Sequence, residues 1–91
     1  KVASANVAEI EDMNAFGLYP NPAKDVATVV FDTESDVQLT VTNMHGSIVH
    51  QESLSGGFVT HNLTLTSFQS GVYFVNLSTK LGSTSQKLII Q

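Results

Sequence analysis

Three histidines, His45, His50 and His61, are the side chains in this chain best suited to do chemistry. An imidazole can bind a metal or transfer a proton near neutral pH, but the spacing of these three does not indicate a zinc site. The sequence has no cysteine nucleophile, and no serine lies in a G-x-S-x-G turn. We therefore interpret the histidines as solvated surface residues and expect no catalysis, bound cofactor or metal.

The carboxylates of "DTESD", residues 32–36, alternate in a way that superficially suggests calcium ligation. An EF-type loop needs a glycine at its sixth position and a glutamate at its twelfth. Counted from Asp32, those positions hold Val37 and Asn43. This stretch is therefore expected to be a solvated acidic turn.

The composition indicates one small globular domain. Hydrophobic residues make up 42% of the 91 residues, and the mean hydropathy is +0.10. The formal net charge is −4, with four lysines and no arginine. Nucleic-acid binding relies on clustered Arg and Lys, so it is not expected here. No apolar run approaches the roughly 20 residues that a helix needs to cross a bilayer.

From Leu18 onward the sequence predicts short strands separated by Gly-, Asn- and Ser-rich turns. Residues 37–42, "VQLTVT", alternate between apolar and polar, and Gly46 suits the hairpin turn that follows. Residues 72–79 are apolar on both faces apart from Asn76, which predicts a central strand. The predicted strands are residues 25–31, 37–42, 47–53, 58–67, 72–79 and 84–91. This pattern is typical of an all-β protein, an immunoglobulin-like antiparallel β-sandwich of about seven short strands.

One residue in two along these strands is expected to form the core. The predicted core residues are Val29, Phe31, Val37, Leu39, Val41, Ile48, Leu63, Leu65, Phe68, Tyr73, Val75, Leu77, Leu88 and Ile90.

Residues 1–15 differ from the rest, because they combine several small residues with three acidic ones and show no sustained apolar stripe. We interpret them as a linker from an upstream domain and residues 16–91 as the folded domain. Proline interrupts strand pairing, so Pro20 and Pro22 of "LYPNP" are expected to mark the border between the two. Leu18 and Tyr19 would pin the end of the linker against the sandwich.

Three fragments, in this order, carry a family resemblance: "LYPNPAKD", "NMHGSIVHQ" and, at the C-terminus, "LTSFQSGVYFVNLSTKLGSTSQKLIIQ". Together they resemble the C-terminal sorting domain of bacterial type IX secretion substrates over roughly residues 17–91. The chain departs from the family pattern at Phe68 and Gln69, where a leucine followed by a proline or another small residue is common, and at Asn76, where a basic residue is common.

The resemblance implies an address label joined to an upstream cargo domain and exported through the periplasm to the cell surface or the medium. The implied partners are the outer-membrane type IX translocon with its shuttle protein, and a sortase-like cysteine protease that removes the label. The candidate cleavage region consists of small residues: Ala3, Ser4, Ala5, Asn6, Val7 and Ala8. Dimerisation through an edge strand is left open, as is an alternative role as a carbohydrate- or protein-binding module.

The suspected recognition residues are Leu18, Tyr19, Pro20, Asn21, Pro22, Gly46, Gly71, Val72, Tyr73, Lys87, Leu88, Ile89, Ile90 and Gln91. Residues 86–91 are expected to form an edge strand whose unpaired main-chain groups a partner could use. Structural roles are open for the same residues: turns for Gly46 and Gly71, the core for Tyr73 and Leu88, and protection of the edge for Lys87.

Overall fold

β-Branched and alternating segments form the longer strands of the domain. A computed structural model describes residues 16–91 of the chain. It places seven strands in this part of the chain and no helix. The strands are β1 (Gly17–Tyr19), β2 (Val26–Thr33), β3 (Val37–Asn43), β4 (Ile48–Leu54), β5 (Gly57–Thr64), β6 (Gly71–Thr79) and β7 (Gly82–Ile90).

The strands form two antiparallel sheets that share one core. One sheet has three strands in the order β1-β2-β5, and the other has four in the order β4-β3-β6-β7. The all-β sandwich predicted from the sequence is therefore confirmed. β6 lies between β3 and β7, as its apolar composition predicted.

The core contains the inward-facing apolar residues of six strands, while β4 adds only Leu54, which is partly buried and packs against the core. The buried apolar residues come from both sheets and form one cluster: Phe16, Leu18, Ala23, Ala27, Val29, Phe31, Val37, Leu39, Val41, Leu63, Leu65, Tyr73, Val75, Leu77, Leu88 and Ile90. All but two of the predicted core residues belong to it. Phe68 is only partly buried and packs against the cluster.

Ile48 was predicted to be in the core, and this is wrong: its side chain is 58% exposed. The cause is an irregularity in the β3–β4 pairing, where Val41 is opposite His50 but Thr42 is opposite Ile48. A shift of one residue exchanges the two faces of a strand. Ile48 therefore lies on the outer face of the four-stranded sheet.

The structure also corrects the role predicted for the prolines. β1 precedes Pro20 and already pairs with β2, from Gly17 opposite Val30 to Tyr19 opposite Thr28. Phe16 is buried in the core. The sandwich therefore includes residues before the prolines, and Pro20 and Pro22 lie inside the domain.

Among the described residues no helix could span a membrane.

Candidate functional site

The three fragments of the sequence pattern meet at one end of the sandwich, which we call the motif end. It comprises the connections at residues 20–25, 43–47 and 65–70, because antiparallel pairing turns the chain there at the end of β1, β3 and β5. The connections at residues 34–36 and 80–81 lie at the opposite end. The fold thus gathers segments that are far apart in sequence.

At the motif end, residues 20–23 cross from one sheet to the other, and we call them the strap. Oδ1 of Asn21 accepts a hydrogen bond from the Ile89 N–H at 3.0 Å, and its Nδ2 donates to the Lys87 carbonyl at 2.7 Å. The Ala23 N–H donates to the Ile89 carbonyl, and the Ala23 carbonyl accepts from the Gln91 N–H, both at 2.8 Å. The strap therefore pairs with β7 as a short parallel strand would.

This pairing corrects the expectation that the last strand offers unpaired edge groups over residues 86–91. The Lys87 carbonyl, both main-chain groups of Ile89 and the Gln91 N–H are all hydrogen-bonded to the strap. The side chain of Lys87 remains exposed. Strand addition by a partner at this part of β7 would require the strap to leave.

The connection at residues 43–47 is organised by Asn43, which was not among the predicted site residues. Its Oδ1 accepts hydrogen bonds from the N–H groups of His45, at 2.9 Å, and Ser47, at 3.1 Å. Gly46 has φ of 86°, a conformation that suits glycine. The signal was present in the sequence, since asparagine commonly begins such turns.

Tyr73 fixes the loop before β6. Its hydroxyl donates to the Gln69 carbonyl at 2.8 Å, and its ring stacks on Phe68 with 5.6 Å between the centroids. A tyrosine bonded to the main chain a few residues upstream is a recurrent device of immunoglobulin-like sandwiches. Gly71 has φ of 152°, at the margin of the range that favours glycine.

The suspected recognition residues divide into two groups by exposure. Leu18, Tyr73, Leu88 and Ile90 are buried in the core. Tyr19, Pro20, Asn21, Pro22, Gly46, Lys87 and Gln91 are exposed, and Gly71, Val72 and Ile89 are half-buried. The first group contributes to the core, while most of the second group is accessible to solvent.

The outer face of the four-stranded sheet has two unlike halves. Away from the motif end, its cross-strand rows contain only uncharged polar residues: Gln38, Thr40, Gln51, Ser53, Asn76, Ser78, Ser83 and Ser85. Toward the motif end, apolar side chains replace them. We call this second set the apolar half-face: Met44, Ile48, Val72, Phe74 and Ile89.

The apolar half-face is built by strand register. Ile48, Thr42, Phe74 and Lys87 follow one another across the four strands in one row. Val72 lies opposite Ile89 in the next row. Ile48 is 58% exposed and Phe74 is 39% exposed, so both side chains contact solvent.

Met44 extends the apolar half-face at the hairpin tip. It is 68% exposed and lines the same shallow cavity as Val72. β6 is therefore central in the sheet, as predicted, and Phe74 on its outer side is exposed.

Glu52 joins the two sheets through two of the histidines. Its Oε2 accepts a hydrogen bond from Nε2 of His50, at 2.7 Å, and from Nε2 of His61, at 2.9 Å. His50 and Glu52 are two apart on β4, whereas His61 is on β5 of the other sheet. The expectation of solvated histidines holds only in part for these two, whose side chains are 39% and 24% exposed and are bonded to Glu52, while His45 is exposed as expected.

The His50 hydrogen bond lowers the pKa of Glu52 below its usual value, and His61 acts in the same direction by hydrogen bonding and charge, while burial opposes both. Among residues 16–91, no three His, Asp or Glu side chains are grouped so as to hold a metal ion. Glu52, His50 and His61 form a polar link between β4 and β5, which are edge strands of the two sheets, and we call this link the clasp.

Asp32, Glu34 and Asp36 are exposed at the end opposite the motif end, as a solvated acidic turn predicts. Asp36 Oδ1 accepts a hydrogen bond from the Gly56 N–H at 3.3 Å. The candidate cleavage region, residues 3–8, lies outside the described residues.

The comparison with protein families identifies the described part of the chain. A family model described as "Secretion system C-terminal sorting domain" matches residues 17–91. The matched range takes in all seven strands of the described part of the chain. No curated protein is similar enough to count as a match.

Proposed function

Since this chain belongs to the family of secretion system C-terminal sorting domains, we propose that it is the removable export label of a cargo protein joined to its N-terminal side. The family comprises sorting signals of type IX secretion. Such a signal implies contact with the secretion machinery and export across the outer membrane, to the cell surface or the medium.

The observation that carries this proposal is the convergence of the pattern fragments at the motif end. Asn21, Gly46 and Lys87 lie far apart in sequence, yet the fold places them on connections and strand ends at the same end of the sandwich. Convergence of separate segments on a surface is what a recognition site requires. It supports recognition of the folded label in the periplasm by the outer-membrane translocon and its shuttle protein.

Removal of the label by a sortase-like cysteine protease is the second part of the proposal. Cleavage must separate cargo from label without cutting the sandwich. The described sandwich reaches back to Phe16, which is buried, so a cut within Ala3–Ala8 would leave the core and β1 intact. Cleavage sites favour exposed backbone of small residues, and this region contains only Ala, Ser, Asn and Val.

The proposal is tested with a reporter protein fused to residues 1–91 and supplied with an N-terminal export signal, in a bacterium that has a type IX secretion system. We expect the reporter at the cell surface or in the medium, and in the periplasm when residues 16–91 are removed. Mass spectrometry of the exported reporter should place its new C-terminus within residues 3–8. Equal export of the fusion and the truncated reporter would contradict the sorting role.

The alternative of a carbohydrate-binding module finds no support in the aromatic side chains. Tyr19, Phe58 and Phe74 are the exposed aromatic residues with fractions of 53%, 76% and 39%. Phe74 is on one sheet and the other two are on the other. Tyr19 and Phe58 face different positions of β2, Thr28 and Asp32. Among the described residues they form no common aromatic platform.

A further inference from the structure

The apolar half-face is exposed where a solvated sheet face would ordinarily be polar. The rows that contain Gln38 and Thr40 show the ordinary pattern on the same sheet. Two residues further along, Ile48 and Phe74 occupy the corresponding positions. A contiguous exposed apolar patch with a polar border marks an interaction site on soluble proteins.

Charge distinguishes this face from the rest of the domain. Lys87, directly opposite Phe74, is the one charged residue in the outer rows of the four-stranded sheet. The carboxylates of residues 32–36 are exposed at the other end. A positive charge beside apolar side chains complements a surface that carries apolar groups and a carboxylate.

The strap restricts how a partner protein can bind to β7. Main-chain groups of β7 from Lys87 to Gln91 are already bonded to Asn21 and Ala23, so a partner strand cannot add there while the strap is in place. The side chains on the face remain open to contact.

We infer that the apolar half-face, with Lys87 at its margin, is the surface by which the folded label docks on a protein of the type IX export machinery. The occupant is a protein surface with apolar side chains flanked by a carboxylate. This inference rests on the proposed function and adds the docking face and its partner's chemistry.

The test uses the reporter fusion with substitutions on the face. Phe74→Thr, Ile48→Thr and Lys87→Glu change exposed side chains to ones that a strand accommodates. Matched controls are Phe58→Thr, at a more exposed phenylalanine on the other sheet, and Lys80→Glu, a charge reversal at the opposite end. We expect exported reporter to fall at least about tenfold for the face variants, as on loss of an interface hot spot, and to stay unchanged for the controls.

Two further measurements separate docking from folding. Thermal unfolding of the purified variants should match that of the parent. A photo-crosslinking amino acid placed at Phe74, but not at Phe58, should capture an outer-membrane component of the secretion machinery.

Each other outcome is decisive. If the parent fusion is exported and the face variants are exported equally well, the docking face is wrong while the sorting role stands. Crosslinking at Phe74 to a second copy alone would replace the proposed partner by self-association and overturn the inference. Failure of the parent fusion itself to be exported would refute the sorting role, and the docking face with it.

Discussion

The side chain of Asn21 is hydrogen-bonded to the main chain of Ile89, which lies 68 residues further along the chain. A carboxamide offers one acceptor and a donor group, as a peptide unit does. Between its bonds to Ile89 and Lys87, Asn21 takes the place of a strand residue at the edge of β7. The "LYPNP" segment therefore closes the edge of the last strand.

Asn21→Ala should destabilise the domain by about 1 kcal/mol, because two hydrogen bonds to exposed main-chain groups are lost and water can partly replace them. Urea unfolding measures this change. Amide hydrogen exchange should show faster exchange of the Ile89 N–H. The control is Asn62→Ala, which removes a bond to the Thr28 hydroxyl on the other sheet and should leave that amide protected. Unchanged exchange at Ile89 in Asn21→Ala would contradict the closed edge.

Tyr73→Phe should lower the free energy of unfolding by about 1 kcal/mol, because the buried ring stays while its hydroxyl bond to Gln69 is lost. Urea denaturation of the purified domain gives the value. Tyr19→Phe is the matched control: that ring is 53% exposed, and its hydroxyl has no hydrogen bond within residues 16–91. Equal stability of all three proteins would show that the Tyr73 hydroxyl does not fix the loop.

Leu88→Ala should lower the free energy of unfolding by about 2–5 kcal/mol, because the side chain is fully buried and its truncation leaves a cavity. Such a loss is a large part of the roughly 5–15 kcal/mol by which native proteins are stable. Export of a reporter fusion should fall together with the melting temperature. Leu81→Ala, at an exposed leucine, should change neither. Lost export with unchanged stability would instead assign Leu88 a direct contact.

Glu52→Gln should change the dependence of stability on pH. The folded-state pKa of Glu52 is lowered from 4.5, chiefly by the His50 hydrogen bond, so its carboxylate stabilises the domain above that pH. This stabilisation is lost as the pH falls through the lowered pKa. The difference in melting temperature between parent and Glu52→Gln should therefore be largest near neutral pH and shrink in acid.

The control for this titration is Glu34→Gln, a change at the exposed acidic turn. Its melting temperature should follow the parent more closely than that of Glu52→Gln does. A constant difference between parent and Glu52→Gln across the whole pH range would show that the clasp does not depend on the carboxylate's charge.

Local patterns sufficed for the strands because a strand repeats every two residues and its turns have characteristic residues. The alternation in residues 37–42 predicted β3 with its buried face, and Gly46 predicted the turn that follows. β1 escaped prediction, since three residues, Gly17–Tyr19, are too few to show a period.

The sequence by itself determined the all-β class, most of the core and the family, through periods and motifs that are local. Only the tertiary structure decided that Pro20 and Pro22 lie inside the domain, that Ile48 faces solvent and that Glu52 joins His50 to His61. Each of these depends on how strands distant in sequence are aligned. Pairing register is set by packing of the whole sandwich, and one local irregularity is enough to move a side chain to the other face.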